Sequence, residues 1–228
     1  MCGIIGVYLK TPSNEDFELI KRIFLETKIR GLHATGLSFI DSEGTLNTIK
    51  DSLPADKFVD RYLIKKEPFV NVFGNICLIG HCRYSTSDLN FNQPLSNGNC
   101  SIVHNGVISQ EFPENWKTLY GYDCETKNDS ELILHSADPL VEFSHMSMGV
   151  CKITRDNRLS FFRNGKRPVY LSKLKNGYII TSTADIAMRS GIDNSSIIPM
   201  NYYFEINKNV EIEKRRIVNS DKDLQLVK

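Results

Sequence analysis

Apolar and polar positions follow two different periods along this chain, and they predict both strands and helices. Residues 2–9 are apolar and rich in β-branched side chains, which predicts a buried strand. Over 14–28 the apolar residues recur every three or four positions, which predicts a helix capped by Ser13 or Asn14. A second helix is expected over 55–65, directly after a proline. The N-terminal quarter therefore combines a buried strand with amphipathic helices.

The rest of the chain is predicted to be mostly strands. The expected elements are a hairpin over 37–49, strands over 76–84 and 100–108, a short helix over 129–136, and strands from 146 to about 217 with a helical insert near 184–189. Helices that cluster early and are flanked by strands favour a layered α+β fold over a parallel doubly wound sheet. No linker, repeat or low-complexity tract interrupts the pattern, so a single domain over 1–228 is expected.

Composition and charge narrow the classes of function. The chain has 228 residues and a net charge of +1, so no broad attraction to nucleic acid or to an acidic membrane surface is expected. The basic cluster 214–216 is too short to change this and is interpreted as a solvated strand end. No segment approaches the roughly 18–20 apolar residues of a membrane span, and no signal peptide is recognisable. A cytoplasmic location is expected.

The cysteines give no sign of a metal framework or a disulfide network. The six are Cys2, Cys77, Cys82, Cys100, Cys124 and Cys151. None forms a CxxC pair, and their gaps do not match common zinc sites. The five later cysteines are interpreted as structural or incidental. No metal site is therefore predicted.

Cys2 differs from the others because of its position. Removal of Met1 would leave Cys2 with a free α-amine, so one residue would carry both a thiol nucleophile and a base. A free α-amine has an ordinary pKa of about 7.7–8.0 and a thiol about 8.5, so proton transfer between them is nearly balanced at neutral pH. The alternative is that a second-position cysteine has no special role. Position alone favours that alternative.

Two segments offer arginines beside glycines or hydroxyl groups. Arg30 lies in the glycine-bearing loop 28–36, which could also be an ordinary surface loop. Arg83 ends a predicted buried strand and runs into the hydroxyl-rich segment 84–87, an arrangement suited to holding a carboxylate through two hydrogen bonds. The alternative for Arg83 is a side chain that extends to solvent from a strand end.

Two further segments offer an anion site and a carboxylate. Asn105 and Gly106 stand between strand-forming runs, a pattern typical of a hairpin turn. The same residues could instead point a side-chain amide and a backbone N–H at one oxyanion. Asp129 precedes a predicted helix and could be an N-cap or a receptor for a substrate ammonium group. Each signal is weak when taken alone.

The order of these motifs resembles the class II glutamine amidotransferase domain, a family of the N-terminal-nucleophile hydrolases. The resemblance is nearest to the glutaminase domain of the amidophosphoribosyltransferases and spans about residues 2–190. It is carried by Cys2-Gly3-Ile4, Arg30-Gly31, Thr35-Gly36, Gly80-His81-Cys82-Arg83-Tyr84-Ser85-Thr86, Asn92-Gln93-Pro94-Leu95, His104-Asn105-Gly106, Asp129-Ser130-Glu131, Gly165-Lys166-Arg167-Pro168-Val169-Tyr170 and Thr181-Ser182-Thr183-Ala184.

The resemblance implies an α+β fold, a four-layer αββα sandwich whose first strand presents Cys2 at the edge of a sheet. It implies that Cys2 attacks the carboxamide carbon of L-glutamine, and that Asn105 and the Gly106 N–H stabilise the oxyanion. Glutamate and ammonia leave after hydrolysis of a thioester. This chemistry needs no metal and no organic cofactor.

The same resemblance assigns the residues that recognise the substrate. Arg83 would hold the α-carboxylate with help from Thr86, and Asp129 would bind the α-ammonium group. Arg30 would organise the pocket from its loop.

Three departures from the family pattern concern the lid and the periphery. His33 stands where the family usually has Asp, and residues 87–89 replace a motif that usually contains glycine. Fewer than twenty residues separate Asp129 from the strand near Met148, so one helix of the outer layer is expected to be truncated. The inferred nucleophile, oxyanion and carboxylate positions are unaffected.

The acceptor of the ammonia is open at this stage. Family members usually continue into a synthetase, isomerase or transferase domain, and this chain of 228 residues leaves no room for one. A separate synthetase or transferase subunit is the favoured acceptor, and glutamate as the sole useful product is the alternative. A γ-glutamyl amidase and a non-catalytic regulatory copy are the other candidate functions. A lipid anchor on Cys2 is less favoured because no basic patch follows it.

Overall fold

The computed structural model describes residues 2–84 and 91–216, which form two antiparallel sheets with helices on their outer faces. In the described residues the strands are β1 (Gly3–Lys10), β2 (Ala34–Ile40), β3 (Leu46–Asp51), β4 (Asn75–Arg83), β5 (Leu95–Ser96), β6 (Cys100–Val107), β7 (Ser147–Thr154), β8 (Arg158–Arg163), β9 (Tyr170–Leu174), β10 (Gly177–Thr181), β11 (Ser195–Ile197), β12 (Tyr202–Ile206) and β13 (Ile212–Arg216). The helices are α1 (Asn14–Thr27), α2 (Ala55–Tyr62), α3 (Trp116–Tyr120), α4 (Glu131–His135), α5 (Pro139–Glu142) and α6 (Ala184–Arg189).

The sheets contain seven and six strands. The first sheet has the order β11-β9-β10-β1-β4-β2-β3, and the second has the order β13-β12-β8-β7-β6-β5. Because β1 lies between β10 and β4, it is central and buried on both faces, as its unbroken apolar pattern indicated. The strand that carries Cys2 is therefore held in place by two neighbours.

Three hydrophobic cores define four layers. One core lies between the first sheet and α1, α2 and α6, and includes Ile5 and Phe24. A second lies between the two sheets and includes Ile4 and Phe161. The third lies between the second sheet and α3, α4 and α5, and includes Trp116. This is the αββα arrangement that the resemblance implied.

Helix α1 begins and ends close to its predicted bounds. The Ser13 hydroxyl accepts a hydrogen bond from the Asp16 backbone N–H at 3.1 Å, and the Asp16 carboxylate accepts one from the Ser13 N–H at 2.8 Å. This reciprocal capping box satisfies backbone donors that the first turn would otherwise leave unpaired. The buried side chains Phe17, Ile20 and Phe24 pack the helix on the first sheet.

The outer layer over the second sheet is made of short helices. Helix α3 has five residues and α5 has four. Neither was predicted, because their apolar side chains are too few to show a period. Helix α4 is shorter than the predicted 129–136. In the described part of the chain, no helix is long and apolar enough to cross a membrane.

Candidate active site

Cys2 lies at the start of the central strand of the first sheet. Gly3 pairs with Cys82 across β1 and β4, and extending this register by one residue sets Cys2 opposite Arg83. Because side chains alternate along a strand, Cys2 shares the face of Ile4, which points into the space between the sheets. Burial and, to a smaller degree, the neighbouring Cys2 raise the pKa of Cys82 to about 12. Cys2 itself is half-buried.

The arginine–glycine loop packs against the two strand ends that carry Cys2 and Arg83. A β-carbon added to Gly3 would come within 3.0 Å of the Arg30 β-carbon, and one added to Gly31 would come within 2.2 Å of the Arg83 carbonyl carbon. The Arg83 carbonyl also accepts a hydrogen bond of 3.0 Å from the His33 N–H. The structure therefore places Arg30 against Gly3, the residue that follows Cys2, and Gly31 against the backbone of Arg83.

Arg83 is buried at the end of β4 and held by the loop that follows it. One guanidinium nitrogen, Nη1, donates a hydrogen bond of 2.7 Å to the Asn92 side-chain oxygen. The next residue, Gln93, is joined to Pro94 by a cis peptide bond, and the Gln93 carbonyl approaches to 2.4 Å from a β-carbon built on Gly36. Asn92 thus holds the guanidinium group, and Gln93 packs against β2.

Asn105 and Gly106 continue β6 and do not form a hairpin turn. They pair with Gly149 and Met148 of β7, so the hairpin alternative is wrong. A β-carbon on Gly106 would come within 1.9 Å of the Ser147 carbonyl oxygen, so only glycine fits there. The strand faces alternate, and Asn105 shares the inward face of Val103 in the core between the sheets.

The Asn105 amide has an unused donor. Asn105 is 3% exposed, and its Nδ2 is buried and has no hydrogen-bond partner within residues 2–84 and 91–216. A buried polar group without a partner costs about 1–3 kcal/mol, and it needs an explanation such as a ligand. The amide is therefore ready to donate to an atom brought in from outside.

Asp129 is tied to the end of β6. Its Oδ2 accepts hydrogen bonds from the backbone N–H groups of Ile108 at 2.6 Å and Ser109 at 3.2 Å. Asp129 therefore does not serve as a conventional N-cap for α4; its carboxylate reaches back to the strand that carries Asn105. The sequence did not reveal this clamp, because it joins residues about twenty positions apart.

Arg83 and Asp129 line one open cavity of about 540 Å³. Its other walls include Phe91, Trp116 and Asn128. Lys127 and Glu111 also line it, so the cavity carries both positive and negative groups. Such a lining suits a ligand with a carboxylate and an ammonium group, such as a free amino acid. Cys2 and Asn105 are not among the residues that line this cavity.

Sequence reasoning missed a buried network that joins the predicted site residues. The Gln93 Nε2 donates to the Ser130 hydroxyl at 2.9 Å, and the Ser130 hydroxyl lies 2.8 Å from the His104 Nδ1. The Gln93 Oε1 accepts from the His104 backbone N–H at 2.5 Å, which closes a ring. The motifs Asn-Gln-Pro and His-Asn-Gly both carried the resemblance. The contact between them could not be predicted from the sequence and is visible only in the fold.

The network fixes the tautomer of His104. Its Nε2 lies 3.1 Å from the Ser147 carbonyl, which can only accept, so Nε2 carries the proton. Nδ1 then accepts the proton of the Ser130 hydroxyl. Burial lowers the pKa of His104, although the Asp129 carboxylate opposes this shift. His104 is therefore a neutral part of the scaffold beside Asn105.

A second histidine lies between the sheets near the same strand ends. His81 is 1% exposed, and burial, with the nearby Arg83 and His104, lowers its pKa to about 3. Neither of its ring nitrogens has a hydrogen-bond partner in the described part of the chain. His81 is uncharged at neutral pH, and its position in the Gly-His-x-Arg motif is the only sequence signal that pointed to it.

Several sequence predictions concern the segment after Arg83. Thr86 and residues 87–89 lie outside the described residues, so the structure gives no account of them. His33, the departure from the usual Asp, has its ring 4.9 Å from the Tyr84 ring. Tyr84 is 53% exposed, which places this pair at the surface beside the end of β4.

Four layers with a cysteine at the head of a central strand are the fold that this chain shares with several solved structures. Among solved structures, the chain is similar to a glutamine phosphoribosylpyrophosphate amidotransferase from B. subtilis, with a TM-score of 0.73, 18% identity and 96% of this chain covered. It is also similar to a glutamine aminotransferase class-II domain protein from Silicibacter pomeroyi, with a TM-score of 0.60, 12% identity and the same 96% covered. The chain covers 50% of the first structure and 100% of the second.

Curated relatives match in sequence. A glutamine–fructose-6-phosphate aminotransferase from Sulfurisphaera tokodaii is 24% identical over 192 residues, which are 79% of this chain and 31% of that protein. An amidophosphoribosyltransferase from Haemophilus influenzae is 30% identical over 144 residues, which are 59% of this chain and 26% of that protein. No protein-family model matches the chain.

Together, these findings confirm the resemblance that the motifs indicated. The chain is similar to class II glutamine amidotransferase domains, and the curated relatives that it matches carry the names of glutamine-dependent transferases. It spans about a third or less of the length of these curated relatives.

Proposed function

We propose that this chain hydrolyses L-glutamine to glutamate and ammonia through a thioester on Cys2. After removal of Met1, the α-amine of Cys2 takes the thiol proton and the sulfur attacks the carboxamide carbon. The protonated amine gives its proton to the leaving nitrogen, and ammonia departs. Water then attacks the thioester, the amine takes one proton from it, and that proton returns to the sulfur. The net reaction adds one water to the amide.

The buried Asn105 Nδ2 is the observation that carries this proposal. It has no partner in the described part of the chain, and it belongs to a strand face that points toward the sheet bearing Cys2. An oxyanion forms in both halves of the reaction, and one preorganised donor stabilises it by about 3–4 kcal/mol. The Gly106 N–H is proposed as the second donor to the oxyanion, and the absence of a β-carbon on Gly106 lets β6 approach Ser147 closely.

The substrate head group is proposed to bind in the cavity of Arg83 and Asp129. Asn92 orients the Arg83 guanidinium group through a hydrogen bond, and the planar guanidinium group is suited to bind the α-carboxylate. The Asp129 carboxylate is set by two backbone N–H groups and would receive the α-ammonium group. Arg30 would support the pocket from its loop, and Thr86 keeps its proposed role in carboxylate binding.

The ammonia is proposed to pass to a separate synthetase or transferase subunit. Free ammonia is mostly protonated near pH 7 and is then a poor nucleophile, so direct transfer is favoured. The names of the relatives describe aminotransfer to fructose-6-phosphate and phosphoribosyl transfer, and this chain matches less than a third of each. We propose that residues 1–228 form one glutaminase domain that supplies ammonia to such a partner.

Intact-mass analysis with a glutamine-like diazo-ketone tests the proposal. We expect the purified chain to lack the mass of Met1 and to gain one adduct, which peptide mapping places on Cys2. Cys2→Ala should gain none and should lose glutamine hydrolysis while it stays folded. Cys100→Ser is the matched control, because Cys100 is a buried cysteine on β6 bonded to Asn97.

The result decides between the candidate functions. Retention of Met1, or an exposed Cys2 that gains no adduct, would contradict the proposed nucleophile and favour a non-catalytic copy. An adduct without release of ammonia from glutamine would favour a γ-glutamyl amidase. Hydrolysis that survives Cys2→Ala would also overturn the proposal.

A further inference from the structure

Three metal-ligating side chains converge on α4, outside the residues used by the proposed reaction. The Cys124 Sγ, a Glu131 carboxylate oxygen and a His135 ring nitrogen lie within 4.8 Å of one another. Glu131 and His135 share a face of α4 because they are four residues apart, and Cys124 reaches them from the preceding loop. Cysteine, glutamate and histidine are all zinc ligands. Their separation along the chain fits no common motif, so only the fold reveals the cluster.

The Glu131 carboxylate is held in a fixed position. Its Oε1 accepts from the Glu125 N–H at 2.7 Å, and its Oε2 accepts from the Thr126 N–H at 2.7 Å and the Thr126 hydroxyl at 2.6 Å. Glu131 is 6% exposed, and both of its carboxylate oxygens accept hydrogen bonds. Such bonds stabilise the charged form of the carboxylate and fix its position. Hydrogen bonds of this kind orient ligand carboxylates in metal sites.

The distance between Glu131 and His135 suits a shared ion. The Oε1 of Glu131 lies 3.5 Å from the Nε2 of His135, which is long for an ordinary hydrogen bond of about 2.9 Å. Two ligands at about 2.0–2.1 Å from a tetrahedral zinc are about 3.3 Å apart. A small movement of the His135 side chain would therefore bring both atoms to bonding distance of one ion.

The His135 ring is also oriented by a neighbour. The Tyr122 ring stacks on it with centroids 5.7 Å apart and planes at 19°. The Tyr122 hydroxyl in turn donates to the Glu142 carboxylate at 2.8 Å. The His135 side chain is 33% exposed, so the cluster is open to solvent on this side. A fourth position would be filled by water.

We propose that Cys124, Glu131 and His135 form a site for a divalent transition metal, with zinc as the best match. Cys124 would bind as a thiolate and release its proton to solvent, and the thiolate and carboxylate together balance the charge of the ion. The site lies on the segment that leads to Asn128 and Asp129 in the cavity wall. Metal binding would hold that segment in place and would stabilise the fold.

Cobalt(II) titration of the metal-stripped chain tests this site without any glutamine. The titration uses a Cys2→Ala background, because the Cys2 thiol and α-amine would otherwise compete for the ion. We expect one equivalent of cobalt to bind with a thiolate charge-transfer band. Cys124→Ser and His135→Gln should each remove the band. Cys100→Ser in the same background should keep it.

Two further measurements separate a metal site from a structural cluster. Thr126→Val removes one hydrogen bond to Glu131, and loss of such a supporting contact is expected to weaken binding about 10- to 100-fold. Zinc should raise the thermal unfolding temperature of the Cys2→Ala chain and leave that of its Cys124→Ser and His135→Gln derivatives unchanged. Because His135 is partly exposed, His135→Gln tests the site in a variant whose core is intact.

Three results would overturn the proposal. Cobalt binding without a thiolate band, a band that persists in Cys124→Ser, or weak binding of several ions without saturation would each show adventitious binding only. None of these results bears on glutamine hydrolysis, so failure of this site and failure of the proposed function are distinguishable.

Discussion

The Ser130 hydroxyl lies 2.8 Å from the His104 Nδ1, and this contact joins the two halves of the candidate active site. Ser130 follows Asp129, and His104 precedes Asn105, so the bond couples the residue proposed to bind the ammonium group to the one proposed to bind the oxyanion. The Gln93 side chain bonds to both Ser130 and His104 and closes the ring. The preceding residue, Asn92, accepts a hydrogen bond from Arg83, which connects the ring to the guanidinium group. A displacement of any member would therefore disturb the groups proposed to bind the ammonium group, the oxyanion and the α-carboxylate.

Ser130→Ala is expected to lower kcat and to destabilise the fold. The change leaves the Gln93 Nε2 and the His104 Nδ1 without their buried partner, which costs about 1–3 kcal/mol. Urea unfolding and steady-state glutamine hydrolysis measure the two effects. Ser136→Ala is the matched control, since the Ser136 hydroxyl is also largely buried but bonds to Glu142, away from the site. Equal kcat values in the two variants would contradict the positioning role.

Asn105→Ala is expected to lower kcat by about 10²–10³-fold and to leave KM nearly unchanged. The reason is that the Nδ2 donor would act on the oxyanion of the transition state and not on bound glutamine. Steady-state kinetics over a range of glutamine concentrations separates the two parameters. An effect confined to KM would assign Asn105 to substrate binding instead.

Asp129→Asn is expected to raise KM for glutamine more than it lowers kcat. The amide oxygen can still accept from Ile108 and Ser109, so the clamp on β6 persists while the charge that attracts an ammonium group is lost. Loss of one charged hydrogen bond of about 1.5–3 kcal/mol corresponds to roughly a 10- to 150-fold rise in KM. Asp185→Asn, at the start of α6, is the control and should leave KM unchanged. An unchanged KM in Asp129→Asn would show that the ammonium group binds elsewhere.

The sequence predicted the helix α1 and the strand β1 well, because the patterns that indicate them are local. The period of α1, its Ser13 cap and the apolar run of β1 depend on neighbouring residues, and each lies within about two residues of its predicted bounds. The short helices α3 and α5 were missed because five and four residues do not complete two helical turns.

The contacts of the site were harder to predict from the sequence, because they join residues that are far apart along the chain. Asn105 and Gly106 carried a strong local hairpin signal, but pairing with β7 overrides it. The clamp from Asp129 to Ile108 and the cluster of Cys124, Glu131 and His135 depend on how loops cross the second sheet. Motif order indicated the resemblance to class II glutamine amidotransferase domains, but only the fold shows which partners hold each side chain.

The stability of the fold is expected to fall as the pH drops from about 6.5 toward 4.5, and His81 is expected to contribute to this loss. Burial lowers the pKa of His81 to about 3 in the folded chain, whereas an exposed histidine titrates near 6.5. Between these values the unfolded chain binds the proton and the folded chain does not, so acid favours unfolding. The contribution is about 1.4 kcal/mol per pH unit for each such group.

His81→Phe tests this contribution, because phenylalanine preserves the ring and cannot titrate. Urea unfolding between pH 4.5 and 6.5 should show a smaller slope of the unfolding free energy against pH, lower by about one proton. His104 keeps part of the slope, since burial lowers its pKa as well. The exposed His145 provides the control, and His145→Gln should leave the slope unchanged. A slope that His81→Phe does not alter would mean that His81 takes up its proton within the folded chain, which would require a rearrangement of the strand ends between Arg83 and His104.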